Sequence, residues 1–172
     1  MKTKTLLLVI ATLAIVDITA AAPSSDPTDE KIIVDRILVE KSARRLTLLH
    51  DGLPMKTYKI SLGRNPLGNK EEKGDNKTPE GVYKIDWRNK QSLFHRALHI
   101  SYPTPDEVAR ARRRGVSPGG NILIHGLPNG HGWIGSLHAY SDWTQGCIAV
   151  TDEEIDEIWD AVPDGTSVEI RP

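Results

Sequence analysis

Short runs of β-branched and aromatic residues, each closed by a glycine or proline turn, limit this chain's possible folds more than any other feature. Residues 32–40 form one such run, Leu46-Thr47-Leu48-Leu49-His50 follows after a polar break, and Asp51-Gly52 is a strong hairpin signal leading into residues 55–62. An antiparallel three-stranded meander is expected there. Residues 63–78 carry Pro66 and the mixed-charge run Lys70-Glu71-Glu72-Lys73, and read as a long exposed loop of the kind that lines sites. Thr78-Pro79-Glu80-Gly81 closes that loop and Val82-Tyr83-Lys84-Ile85 resumes strand alternation. Residues 93–102 predict a further strand, with Phe94, Leu98 and Ile100 on one face and His95, Ala97 and His99 on the other. Residues 105–114 predict a helix, with Pro105, Asp106 and Glu107 at its start and arginines answering its dipole before Gly115. Asn121-Ile122-Leu123-Ile124 is a short apolar strand that delivers His125 to a loop. Thr151 and Glu154 make a capping box for a helix whose apolar stripe is Ile155, Ile158, Trp159 and Val162; residues 166–170 are a last strand. The fold expected is mainly β, a sandwich or barrel-like mixed sheet with two or three peripheral helices.

The first residues carry Lys2 and Lys4, an apolar run over 6–16 too short to span a bilayer, then Ala20-Ala21-Ala22. Residues 1–21 are therefore expected to be a signal peptide or retained N-terminal anchor, residues 22–31 a proline- and serine-containing tether, and residues 32–172 the working domain. An exported protein of the periplasm or cell envelope follows. With no cysteine at the end of the apolar run, a lipid-modified terminus is excluded. A net charge of −1 gives no nucleic-acid surface and no polybasic membrane patch. There is no P-loop and no internal repeat.

Cys 1 is the whole cysteine content, so Cys147 cannot belong to an intramolecular disulfide and is either inert packing or a reactive thiol. Its neighbours favour reactivity. Residues 125–150 hold Cys147 on a glycine-rich loop together with His125, His131 and His138, and a thiol becomes a strong nucleophile when an imidazole takes its proton. Ile124 and Ile148 set His125 and Cys147 beside buried strand positions, where both are held rigidly.

Ile124-His125-Gly126 followed by Thr144-Gln145-Gly146-Cys147-Ile148 resembles the H-G … [S/T]-x-G-C-[I/V] signature of the L,D-transpeptidase catalytic domain (YkuD) family. Leu62-Gly63 and residues 78–85 resemble that family's upstream loop and TPxGxY strand, so the likeness covers nearly all of the chain beyond the leader. The resemblance implies the L,D-transpeptidase catalytic fold and action on peptidoglycan stem peptides. Cys147 would attack the carbonyl at the L-centre of diaminopimelate in a tetrapeptide stem, release D-alanine and pass the acyl group from a thioester to an amine. It implies His125 as the base, oriented by the backbone carbonyl of Gly126. Gly146 would allow close backbone approach, with the Gly146 and Cys147 amides as oxyanion donors and the Thr144 hydroxyl hydrogen-bonding within the loop. His138 and His99 are expected to line the cleft, and His131 to be exposed. No cofactor and no metal is expected, and the chain is expected to be a monomer.

Two departures stand out. The arginine usually found two residues after the cysteine is Ala149, leaving Arg88 or Arg96 to take its place, and Asp142-Trp143 lengthens the loop before the motif. Trp143 and Trp133 either wall a sugar–peptide substrate or pack on the loop. The alternatives are a hydrolase that cuts stem peptides or detaches a wall-linked protein, a non-catalytic wall-binding module, and a zinc-binding structural domain using His125, His131, His138 and Cys147, with His95 and His99 as a further pair.

Overall fold

A computed structural model describes residues 33–172; the expected leader and tether lie outside the described residues. The meander forms as expected: β1 (Arg36–Glu40), β2 (Arg45–His50) and β3 (Leu53–Lys59) pair antiparallel in chain order. Asp51 and Gly52 turn the hairpin with φ of 49° and 77°, the left-handed pair that a tight primed turn requires. β4 (Gly81–Ser92) is longer than the sequence suggested, and β5 (His95–Ile100), β6 (Leu123–His125), β7 (Ile148–Ala149) and β8 (Ser167–Arg171) complete the set.

These strands make one mixed eight-stranded sheet in the order β3-β2-β1-β8-β4-β5-β6-β7. The last strand in sequence lies in the middle, parallel to β1 and antiparallel to β4. The length of β4 follows from serving both halves, since residues 81–84 pair with β8 and residues 85–92 pair with β5. Residues 60–63 leave β3 and touch the far edge through isolated bridges, Ser61 to Ala149 and Gly63 to Thr144, although the sheet does not close.

Among the described residues there are two α-helices, of which the second packs on β5 and β6. α1 (Pro105–Arg113) and α2 (Asp152–Ala161) each begin with a complete capping box, Thr104/Glu107 and Thr151/Glu154, of the sort that contributes about 1 kcal/mol. In α2 Ile155 and Ile158 are fully buried, and Val162 just beyond it is also buried, so the stripe read from the sequence is the one that meets the sheet. A kinked 3₁₀ segment (Gly132–Tyr140) fills the loop between β6 and β7 as a third helical element.

The long loop over 63–78 differs from its expected exposure. Gly63, Lys70 and Thr78 are buried within it. The Lys41 ammonium, itself 2 % exposed, donates to the carbonyls of Gly68 (2.7 Å) and Thr78 (3.0 Å) and pairs with Glu80 (2.7 Å). All three of its N–H groups are thereby satisfied, which is what makes a buried lysine tolerable and ties the loop down at Gly68 and Thr78.

Candidate active site

The site is built where β6 and β7 run parallel. Their register sets Ile124 opposite Ile148 and His125 opposite Ala149. Ile124 and Ile148 are both fully buried in the core, and side chains alternate along a strand, so Leu123, His125 and Cys147 face away from that core. His125 and Cys147 are therefore diagonal neighbours on one face of the sheet. The carbonyl of His125 also accepts from the Val150 N–H at 3.0 Å, which locks the two segments together.

His125 is held on every side. Its Nδ1 lies 2.7 Å from the Gly126 carbonyl. A carbonyl can only accept, so Nδ1 carries the hydrogen and Nε2 is left with its lone pair free. The Phe94 ring is centred 4.5 Å from the imidazole and Trp143 meets it edge-on at 5.8 Å. Trp143 thus packs over the imidazole, whereas Trp133 is exposed. At 1 % exposure, burial drives the imidazole pKa down to about 4, only partly offset by the Gly126 hydrogen bond. Gly126 is a glycine by necessity: a Cβ there would stand 2.6 Å from the Asp152 carboxylate, which accepts the Leu127 N–H at 2.7 Å.

Cys147 is half-buried and lines a cleft of about 530 Å³, whose walls also include Lys70, Lys73, Gly119, Asn121 and Gln145; His125 is not among the residues lining it. The thiol is directed onto the Asn121 carbonyl at 3.5 Å rather than hydrogen-bonded to the imidazole. Burial pushes its pKa above the ordinary thiol value, against the weaker opposing effects of the Leu123 amide and the Lys70 charge. Burial thus favours the neutral form of both groups, the thiol and the imidazole.

The Cys147 loop is pinned from several directions. The Asp142 carboxylate pairs with Arg44 (2.7 Å to Nη2) and accepts the Leu62 N–H at 2.9 Å, so the inserted Asp142 anchors the loop to the turn after β1. The Thr144 hydroxyl donates to the Cys147 carbonyl (2.8 Å) and accepts the Gly146 N–H (3.1 Å). This corrects the expectation for Gly146, whose amide is taken up within the loop. At Gly146 φ is +128° and an added Cβ would sit 2.7 Å from the Lys77 carbonyl oxygen. Gly146→Ala is therefore expected to destabilise the domain by about 3 kcal/mol through backbone strain and displacement. A thermal melt of the variant overlaying the parent's would show that this close approach is not real.

The other expected residues part company. His138 is buried, with Ser61 Oγ donating to its carbonyl (2.8 Å) and lying 3.1 Å from its Nδ1; its Nε2 is enclosed without a partner among the described residues, and burial lowers its pKa. His99 shares the face of Leu123 across β5, but it is bound to Asp86 (2.6 Å) and stacked on Trp87 (4.6 Å), and it does not line the Cys147 cleft. Arg88 binds the C-terminal carbonyls of α2 at Trp159 and Val162, and Arg96 pairs with Asp156, so neither arginine stands in the cleft in place of the one missing at position 149. His131 is exposed and the potential zinc ligands do not converge; among the described residues only Asp35, His50 and Asp51 bring ligand atoms together, at the surface. Sequence reasoning missed Lys41 and Ser61, whose only signal was a polar residue in an otherwise ordinary stretch, and read Lys70 only as part of the charged run of a site-lining loop.

Comparison with known proteins bears on the same elements. The chain is 32% identical to YafK of Escherichia coli (strain K12) over 109 residues, 62% of this chain and 36% of that protein. The fold is similar to the helical cell shape determining protein Pgp2 of Campylobacter jejuni, with a TM-score of 0.60 at 24% identity over 83% of this chain and 51% of the other. It is also similar to an L,D-transpeptidase of Xylanimonas cellulosilytica, with a TM-score of 0.53 at 16% identity, covering 83% and 62%. The chain thus spans only about a third to two thirds of these relatives. The L,D-transpeptidase catalytic domain (YkuD) model matches residues 34–170, from the residues before β1 through β8 and including both halves of the Cys–His site, and the chain belongs to that family.

Proposed function

We propose that the chain is a peptidoglycan-modifying cysteine L,D-transpeptidase. The observation that carries this reading is the Cys147–His125 arrangement: a thiol that lines an open cleft, and on the same face of the sheet a neutral imidazole whose Nε2 is kept free by the Gly126 carbonyl. Cys147 gives its proton to His125 Nε2 and its sulfur attacks the carbonyl at the L-centre of diaminopimelate. The carbonyl electrons move to oxygen, where the Cys147 N–H is the donor of choice because Thr144 already holds that of Gly146. As the oxyanion collapses, the bond to D-alanine breaks, the imidazolium protonates the departing amine, and a thioester remains. An acceptor amine then attacks, loses its proton to His125 and restores the thiol.

The reading places the protein outside the cytoplasmic membrane, delivered by the leader expected over 1–21, with stem peptides as partners. Mass spectrometry of the products is the test. A tetrapeptide stem incubated with a second stem peptide should lose D-alanine and gain the mass of the acceptor. Accumulation of free tripeptide alone would identify water as the acceptor and make the protein a hydrolase. No release of D-alanine from any stem would end the reading.

A further inference from the structure

The cleft beside Cys147 carries a charge that the catalytic pair does not use. Lys70 and Lys73 both line it, and no acidic side chain does. Lys70 is nearly enclosed, with its side chain 3% exposed, and donates to Asp75 (2.7 Å) and the Glu72 carbonyl (3.1 Å). That leaves the third N–H of its ammonium without a partner among the described residues. Lys73 makes no ion pair or side-chain hydrogen bond among the described residues, yet its backbone is fixed: its N–H donates to the Ser117 carbonyl at 2.7 Å. The opposite wall lies flush on this loop, since a Cβ at Gly119 would stand 3.3 Å from Lys73 Cα and 3.4 Å from Lys70 Cε. Lys73 thus lines the cleft from a fixed backbone, with an exposed side chain that is unpaired among the described residues.

We propose that Lys73, assisted by Lys70, forms a carboxylate subsite beside Cys147 that takes a negatively charged group flanking the carbonyl under attack. Asp75 compensates Lys70 from outside the cleft, so the two lysines leave one uncompensated positive charge, which suits a monoanion rather than a dianion. Ala149 carries no charge, and Arg88 and Arg96 are bound to α2, so these lysines are the cations the cleft offers a carboxylate. The Lys70 charge also favours the Cys147 thiolate. As a specificity device for stem peptides the subsite rests on the function proposed above; as an anion subsite it is testable without it.

Alkylation of Cys147 by iodoacetate and by iodoacetamide separates the two. Both reagents meet the same thiolate, so the ratio of their rates cancels any change in thiol ionisation and reports only the reagent's charge. Lys73→Ala should lower the iodoacetate-to-iodoacetamide ratio about fivefold, the upper range for one partly exposed charge contact, and Lys73→Glu should lower it further. Lys73→Arg should restore it, and added salt should erode the parent's preference. The second arm compares a tetrapeptide stem with its carboxyl-amidated form: Lys73→Ala should raise KM for the free acid and leave KM for the amide where it was. A ratio indifferent to Lys73→Ala and Lys73→Glu would overturn the subsite. A ratio that falls while no stem releases D-alanine would uphold the subsite and overturn the function.

Discussion

Cys147→Ala should reduce D-alanine release from a tetrapeptide stem to the uncatalysed background, a fall of at least about 10⁴-fold, because a covalent route loses its only nucleophile. The fold should be retained. The sulfur makes one long contact, to the Asn121 carbonyl at 3.5 Å, and alanine keeps the backbone that Thr144 and the sheet hold. Circular dichroism and turnover measured on the same preparation would separate loss of chemistry from loss of structure. A carbapenem adds a second readout, since its strained acyl carbonyl invites attack by a cysteine of this family. Intact mass should show a single drug added to the parent chain and none to the variant. Turnover or labelling that survived the substitution would remove Cys147 from the mechanism.

His125→Ala should have the next largest effect, lowering kcat/KM by about 10²–10⁴-fold, the usual worth of a positioned base, while His131→Ala leaves it near the parent value. Because the buried imidazole has a pKa near 4, it stays neutral and able to accept the thiol proton well below the ordinary histidine range. The acid limb of kcat/KM should therefore fall near pH 4, and one near pH 6.5 would mean that the working base is not this enclosed ring. The same burial sets a stability profile. The unfolded chain binds a proton at His125 with pKa near 6.5 and the folded chain only near 4. Stability from this group is complete above about pH 6.5 and is lost as pH falls toward 4, in all roughly 3 kcal/mol. His125→Ala should flatten that stretch of the profile, measured by urea unfolding across the interval. At neutral pH the variant should also be destabilised by about 2–4 kcal/mol, because the space between Phe94 and Trp143 is left unfilled.

Much of this molecule was legible in its sequence because local chemistry decides it. Asp51-Gly52 can turn a hairpin wherever it occurs, and Thr151 with Glu154 satisfies a helix end from within four residues. The stripe of Ile155, Ile158 and Val162 follows from helical periodicity, and Cys147 and His125 were identifiable as the only thiol and a histidine flanked by buried strand positions. Tertiary structure alone decided which strands are neighbours. Period-two alternation tells a strand which side chains to bury and says nothing about its partner, so the place of β8 between β1 and β4 was open. The same limit applies to charge. Lys41 and Lys70 read as surface residues until partners from elsewhere in the fold, or from across the loop, satisfy their ammonium groups, and Arg88 and Arg96 were free to serve the cleft until α2 claimed them. A buried polar group depends on hydrogen bonds whose donors and acceptors are distant in sequence, and only the completed fold brings them together.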